Sequence, residues 1–591
     1  MREDILIFDV ESDDAERIHV GDLGFLRLGA YAWGDGPVKV TDDIAELVSQ
    51  LERARLVVGH NIIGFDLAAL RHHGLDVDRL IAEGRVVDTL LVARQLDPPR
   101  AQGADKGRYT LGALGRRLGV GDKLTDGDDS ALQALAAQHG GYGAIPVDDP
   151  TYRAYAAQDV ELTRAVAARL RVDAYARREM AVVWRFREVE RSGVRVDVEA
   201  AEKMLAAHAE RRADLLEVLH EQYGVPRTGG ASPHQSAAGL AALEAALVGM
   251  GVTKVDLPRT AKSGNLALNK DTLPQLVADH PGNRAVADLV GVLTGVGESL
   301  TVVQQLLTHV GPDGRAHPSV SADQATGRLS ITKPALTTAG KRSERLIAQR
   351  AVIVPDTDDE VLLAADLSGI DAAALAMLSG DPDYIAAASG DYHNAMAVAV
   401  FGDCGWDGAG HHPRRKDAKV LVHGINYGMG GARAGASAGI CLDEAKTVIA
   451  RLDAAYPVLA SWKARVRAEA KEGQVLRTPA GRTVRCDPGR EHTQAPAFMG
   501  QSTARDLLAQ GVLRMPAWLA ARLRLIVHDE VVVSVPCDRI EEASTALLDA
   551  LTLGGQPCVL VPGAPPVVIR AEVSPPGRNW AECYLEEATG A

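Results

Sequence analysis

Short apolar runs alternate with helical periodicity at the start of the chain: DILIFDVES at residues 4–12, RLVVGHN at 55–61, RVVDTLLVARQL at 85–96 and YAAQDVELTRAVAARL at 155–170. Strand-length runs followed by amphipathic stretches predict a mixed α/β domain over about residues 1–175. From Val196 to about Thr308 the pattern is largely helical, broken by a Gly-rich loop at 228–231 and a Pro/Lys/Gly stretch near 257–265. It predicts an extended helical arm. Strands return at VLLAAD (361–366) and LRLIVHDEVVVSV (523–535), separated by a long helical, partly basic stretch.

Composition bounds the reading. At 591 residues the chain is too long for one hydrophobic core, and 46% hydrophobic with 24% charged residues excludes a disordered chain. Six cysteines are scattered without a CxxC pair, which fits reduced thiols better than disulfides or a zinc site. No basic leader precedes ILIFDVES, and no segment is expected to reach the roughly 18 apolar residues of a membrane span, so a cytoplasmic place and no membrane partner are expected. The net charge of −14 opposes nucleic-acid binding unless Lys and Arg gather in a local cleft.

The chemistry-bearing residues fall into two constellations. In IFDVES, Asp9 and Glu11 are two apart on a strand and leave the same face. Asp66 follows the apolar run RLVVG where a strand gives way to a helix, and Tyr155 and Asp159 are four apart on a helix. Each taken singly is better read as a solvated strand edge or a helix-terminal charge. Together they offer a hard-oxygen site for two divalent cations, the arrangement needed to activate water and neutralise a leaving oxygen in phosphodiester hydrolysis.

In the second constellation, a buried strand ends at Asp366, and His528, Asp529 and Glu530 sit at a hairpin between two β-rich runs. If those strands pair, Asp366 and Asp529 meet as paired carboxylates for nucleotidyl transfer. Between them, Arg415, Lys419, His423 and Tyr427 recur every four residues, cationic first and aromatic last, as a stripe suited to a triphosphate and a stacked base.

In this order and spacing, the DxE of Asp9 and Glu11, Nx3FD from Asn61 to Asp66, and Yx3D of Tyr155 and Asp159 resemble the motifs of DnaQ-like proofreading exonucleases. The second set, with TGRLS at 326–330, DYHNAMAVAVFG and GQSTARD, resembles family A DNA polymerases, nearest to replicative enzymes of short-tailed phages. The resemblance implies an α/β multi-domain protein with an RNase H-like 3′→5′ exonuclease at 1–175 and a right-hand polymerase at 176–591. Its thumb is expected at about 196–308, palm at about 309–372 and 492–591, and fingers at about 373–491.

By the same resemblance Asp9, Glu11, Asp66 and Asp159 ligate exonuclease metals and Tyr155 orients water. Asp366 and Asp529 ligate polymerase metals, two Mg2+ per site with Mn2+ as substitute. Arg415, Lys419 and His393 meet the triphosphate, with Lys419 as proton donor to pyrophosphate. Glu530 sits beside the metals and shapes the primer site, while Arg328, Gln501 and His528 inspect the minor groove, where shared acceptors report geometry and not sequence. The implied partners are primer–template DNA, deoxynucleoside triphosphates and an unidentified processivity or replisome protein; the rival readings are a nuclease or a non-catalytic DNA-binding protein descended from a polymerase.

The pattern also departs from the family. His423 stands where Phe or Tyr is usual, which predicts altered discrimination among sugar-modified nucleotides. Asp371 stands where Glu usually crowds the nucleotide's 2′ position, which predicts a looser ribonucleotide gate. Ala497 replaces a common Asn, removing one template contact. Neither a 5′-nuclease domain nor a long thumb insertion is expected, so processivity should be modest.

Overall fold

The structure, a computed structural model, describes residues 2–14, 23–101, 107–126, 129–228, 230–260, 264–270, 272–340 and 344–584. Its first sheet has strands β1 (Ile5–Ser12), β2 (Leu26–Trp33), β3 (Lys39–Thr41), β4 (Leu56–Gly59) and β5 (Val86–Asp88) in the order 3-2-1-4-5. β1 pairs antiparallel with β2 and parallel with β4, the RNase H-like arrangement. Helices cover the sheet, so Leu6, Ile7 and Phe8 are all fully buried and the run is continuously apolar instead of alternating. The helix Pro150–Ala167 starts sharply because Asp149 accepts from the backbone N–H groups of Thr151 and Tyr152 and proline takes the first helical position.

The next helix, Ala174–Phe186, belongs to both halves of the molecule. Ala176, Met180, Val183 and Trp184 pack into the first core, whereas Val182 and Phe186 pack into the second. The first core therefore continues past residue 175. An ionic knot fixes the junction: buried Arg505 donates to Glu179 at 2.7 Å and to the Gly327 carbonyl at 3.1 Å.

A helical arm follows. The helix Val198–Tyr223 packs against shorter helices around a separate core that includes Leu219, Leu243, Leu247, Leu289 and Leu293. Residues 229 and 261–263, within the two loops expected to break the arm, lie outside the described residues. Contrary to the sequence expectation, Arg284–His309 is long and apolar enough to cross a bilayer by length and composition. It is two helices, Arg284–Val296 and Thr301–His309, whose buried residues enter the arm core and the second core respectively.

The second core surrounds a four-stranded antiparallel sheet in the order Leu523–Val527, Glu530–Pro536, Glu360–Leu367, Ala571–Val573. Helices from Ile370 to Lys471 are inserted after its first strand, and the long helix Glu491–Arg514 leads back to it. Gly369 caps the helix Ile370–Ser379 at φ +64, a left-handed turn that lets the chain reverse within two residues of the Asp366 strand.

Candidate active sites

β1, the central strand, carries Asp9 and Glu11, and the helix Pro150–Ala167 brings Tyr155 and Asp159 over it. Ligand oxygens of Asp9, Glu11 and Asp159 all lie within 4.8 Å of one another. Asp66 opens its helix beside them, but its Oδ1 accepts the Val10 backbone N–H at 3.1 Å, which fixes it to the strand between the two acids and outside the tight group of three. The loop leading to Asp66 is held by Asp88, whose carboxylate accepts from the Asn61 and Ile63 backbone N–H groups, both at 3.0 Å. That clamp sustains Asn61 at φ +60, a conformation an asparagine tolerates at some cost.

Sequence spacing gave no sign of Lys123. Its Nζ donates to Asp159 Oδ2 at 2.6 Å and to the Tyr155 hydroxyl at 2.9 Å, so a loop lysine braces both residues of the third motif. Although burial opposes its charge, Asp159 and Tyr155 hold the ammonium well above the usual lysine range. The carboxylates feel the reverse. Burial, reinforced by the neighbouring acids, raises Asp9 well above its ordinary value and takes Glu11 to about 8, while burial alone raises Asp159; Lys123 pulls all three the other way. Asp66 rises to about 7, through burial first and against its backbone hydrogen bonds. Asp159 Oδ1 is buried without a hydrogen-bond partner. An orphaned carboxylate oxygen in a cluster of acids that repel one another fits a hard divalent cation.

The second site lies where the central sheet meets the inserted helices. Leu367 N–H donates to the Asp529 carbonyl at 3.1 Å, and Asp366 stands across the ladder from Glu530 on one side and Glu572 on the other. His528 and Asp529 make a two-residue hairpin, with His528 at φ +60. Glu530 stands directly across the ladder from Asp366 and is held from the interior side. Its buried carboxylate accepts the Trp580 indole N–H at 3.2 Å and lies 3.8 Å from Arg350, whose guanidinium stacks 3.9 Å over the Trp580 ring. Engaged inward, it braces the hairpin from behind.

A cavity of about 610 Å3 opens beside Asp529. Asp371, His393, Arg415, Lys419, His423 and Tyr427 all line it, the last four from the helix Arg415–Asn426 and the residue that ends it. Three polar groups there are buried without hydrogen-bond partners: Arg415 Nε, His393 Nδ1 and the Tyr427 hydroxyl. Burial and the charges of Lys419 and Arg415 push His393 down to about 4. A cation-rich wall with unmatched donors fits a polyanion. His423 and Tyr427 rings meet edge to face at 4.8 Å. Asp371 accepts from Arg328 at 2.7 Å, and burial together with the facing Asp371 carboxylate pushes the Tyr427 phenol well above its usual range. Gln501 and His528 lie outside the cavity lining, Gln501 half-buried on the helix Glu491–Arg514 and His528 exposed at the hairpin.

The chain resembles known proteins over most of its length. The "DNA polymerase I" of Chloroflexus aurantiacus is 27% identical over 470 residues, covering 75% of this chain and 47% of that protein, so the chain spans about half of that relative's length. The "DNA polymerase" of Mycobacterium phage D29 is 26% identical over 542 residues, covering 88% of this chain and 83% of the phage protein. The solved POL domain of Pol1 from M. smegmatis, in complex with DNA primer-template and dNTP, superposes with a TM-score of 0.72 at 21% identity, covering 98% of this chain and 95% of that one. That likeness establishes the right-hand fold. The family model for DNA polymerase family A matches residues 199–582, from the helical arm through the last strand of the central sheet, and the chain is a member of that family.

Proposed function

We propose that the chain is a DNA-directed DNA polymerase that adds deoxynucleotides to a primer 3′ end on a DNA template and proofreads with a 3′→5′ exonuclease. The observation that carries the proposal is the cavity beside Asp529, where Arg415, Lys419, His423 and Tyr427 converge with unmatched donors. Asp366 and Asp529 would hold two Mg2+, with Mn2+ as substitute, which supply activation of the primer hydroxyl and neutralise the triphosphate. Arg415, Lys419 and His393 bind and orient the triphosphate, and Lys419 delivers a proton to departing pyrophosphate. His423 and Tyr427 offer ring faces to the incoming base. Arg328, Gln501 and His528 face the minor groove near the primer end.

At the exonuclease, Asp9, Glu11, Asp66 and Asp159 would hold a second pair of divalent ions. Tyr155, fixed by Lys123, orients the attacking water toward the terminal phosphodiester. The domains divide at about residue 175, the helix Ala174–Phe186 serving both, with thumb at about 196–308, palm at about 309–372 and 492–591, and fingers at about 373–491. The protein serves phage-type replication in the cytoplasm, the host's if phage-encoded, with a processivity partner still to be identified. With Mg2+ it should extend a recessed primer when deoxynucleotides are present and shorten it when they are absent. Shortening without extension would favour a nuclease, and DNA binding without either would favour a non-catalytic descendant.

A further inference from the structure

Beneath the nucleotide cavity lies a buried polar cluster that phosphate binding does not use. Lys463, on the helix Pro457–Lys471, is 3% exposed, and its Nζ donates to Asn426 Oδ1 at 2.7 Å. Among the described residues no carboxylate pairs with it. Asn426, itself 2% exposed, ends the helix that carries Arg415, Lys419 and His423 and directly precedes Tyr427. Its Nδ2 donates to the hydroxyls of Tyr384 and Tyr392, each at 3.1 Å, and those two oxygens are 2.8 Å apart. Tyr392 in turn meets the His393 ring edge to face at 5.4 Å. Tyr384, Tyr392 and Asn426 all line the cavity.

Burying an ammonium whose acid, Asp453, acts on it only from beyond ion-pair distance is costly, and an apolar residue would pack here at lower cost. What an apolar residue would not do is set polarity. An ammonium only donates, so it fixes the Asn426 amide with Oδ1 toward Lys463 and both Nδ2 hydrogens toward the tyrosines. Both phenol oxygens then accept from Asn426. One phenol donates to the other, and a single hydroxyl hydrogen remains. Tyr384 is fully buried and Tyr392 is not, so the remaining hydrogen falls to Tyr392, at the cavity wall.

We infer that Lys463 is a positioning residue which, through Asn426 and Tyr384, makes the Tyr392 hydroxyl a hydrogen-bond donor toward the incoming nucleotide. The inference rests on reading the cavity as the nucleotide site. It predicts a contribution to nucleotide binding in the ground state and in the transition state alike, which appears in KM and not in kcat.

The test is steady-state insertion of one nucleotide on a primer–template by wild type, Lys463→Met, Tyr392→Phe and the double variant, with thermal melting as a folding check. Each single variant should raise the deoxynucleotide KM about ten-fold with kcat within about two-fold. The double variant should be no worse than either, because all three lose the same hydrogen bond. An unchanged KM in the single variants, or effects that multiply in the double variant, would overturn the inference while leaving the nucleotide site intact. If Lys463→Met does not fold, Tyr392→Phe decides: a raised KM with unaltered kcat upholds the donor and an unchanged KM overturns it. Absence of extension by wild type would overturn the reading of the cavity and this inference with it.

Discussion

Acidification should loosen divalent-metal binding at the exonuclease far more steeply than an ordinary acidic site would allow. Glu11 at about 8 and Asp66 at about 7 stand well above the usual carboxylate range because they are buried among other acids. Both must be ionised to ligate a cation. Lowering the pH from about 8.5 to about 6.5 cuts the doubly ionised fraction from roughly three quarters to roughly one hundredth, so the half-saturating Mg2+ concentration should rise about a hundred-fold. The assay is shortening of a single-stranded oligonucleotide titrated with Mg2+ at each pH, with the rate at saturating Mg2+ read separately. A half-saturation that moves less than about three-fold would refute the reasoning. Stability must follow with a definite sign. A carboxyl whose folded-state pKa is raised binds its proton more tightly when folded, so its contribution is full below the ordinary carboxylate range of about 4 and is lost progressively as pH rises from there until it passes about 7 to 8. In EDTA the melting temperature should therefore fall across that window, and Mg2+ should restore it most at the alkaline end.

Three further outcomes follow from particular contacts. Lys123→Met removes the donor shared by Asp159 and Tyr155 and should slow primer shortening about ten- to a hundred-fold while leaving extension unchanged, measured with and without deoxynucleotides. Asp371→Glu adds the methylene that lets the carboxylate reach the unpartnered Tyr427 hydroxyl and crowd the sugar, so the ratio of deoxynucleotide to ribonucleotide kcat/KM should rise about ten-fold; an unaltered ratio counts against a gate at this position. Arg505→Met leaves buried Glu179 with Arg482 as its remaining cation at the junction of the two cores and should cost about 2–3 kcal/mol in chemical denaturation, whereas a loss below about 1 kcal/mol would show that the knot contributes little.

What the sequence disclosed follows from how local the geometry was. Asp9 with Glu11, and Tyr155 with Asp159, obey strand and helix periods, so their convergence needed only the helix to lie over the strand. The four-residue stripe from Arg415 to Tyr427 lines one cavity for the same reason. Lys123 reaches its partners from a loop with no period to betray it. The inward turn of Glu530 depends on Trp580 and Arg350, each far away in the chain. Lys463 and Asn426 carry no mark in the sequence, because burial is a property of the packed molecule and nothing in either helix's own pattern announces it. The apolar segment 284–309 misled in the opposite sense: its run conceals a break between two helices that feed different cores.

The central claim is that two separate carboxylate sites perform two separate reactions on one DNA end. It is tested most directly by primer extension and primer shortening with Mg2+ for wild type, Asp366→Ala, Asp529→Ala and Asp9→Ala side by side. Wild type and Asp9→Ala should extend, neither Asp366→Ala nor Asp529→Ala should, and shortening should be lost in Asp9→Ala alone. Extension that survives Asp366→Ala and Asp529→Ala, or shortening that survives Asp9→Ala, would contradict it.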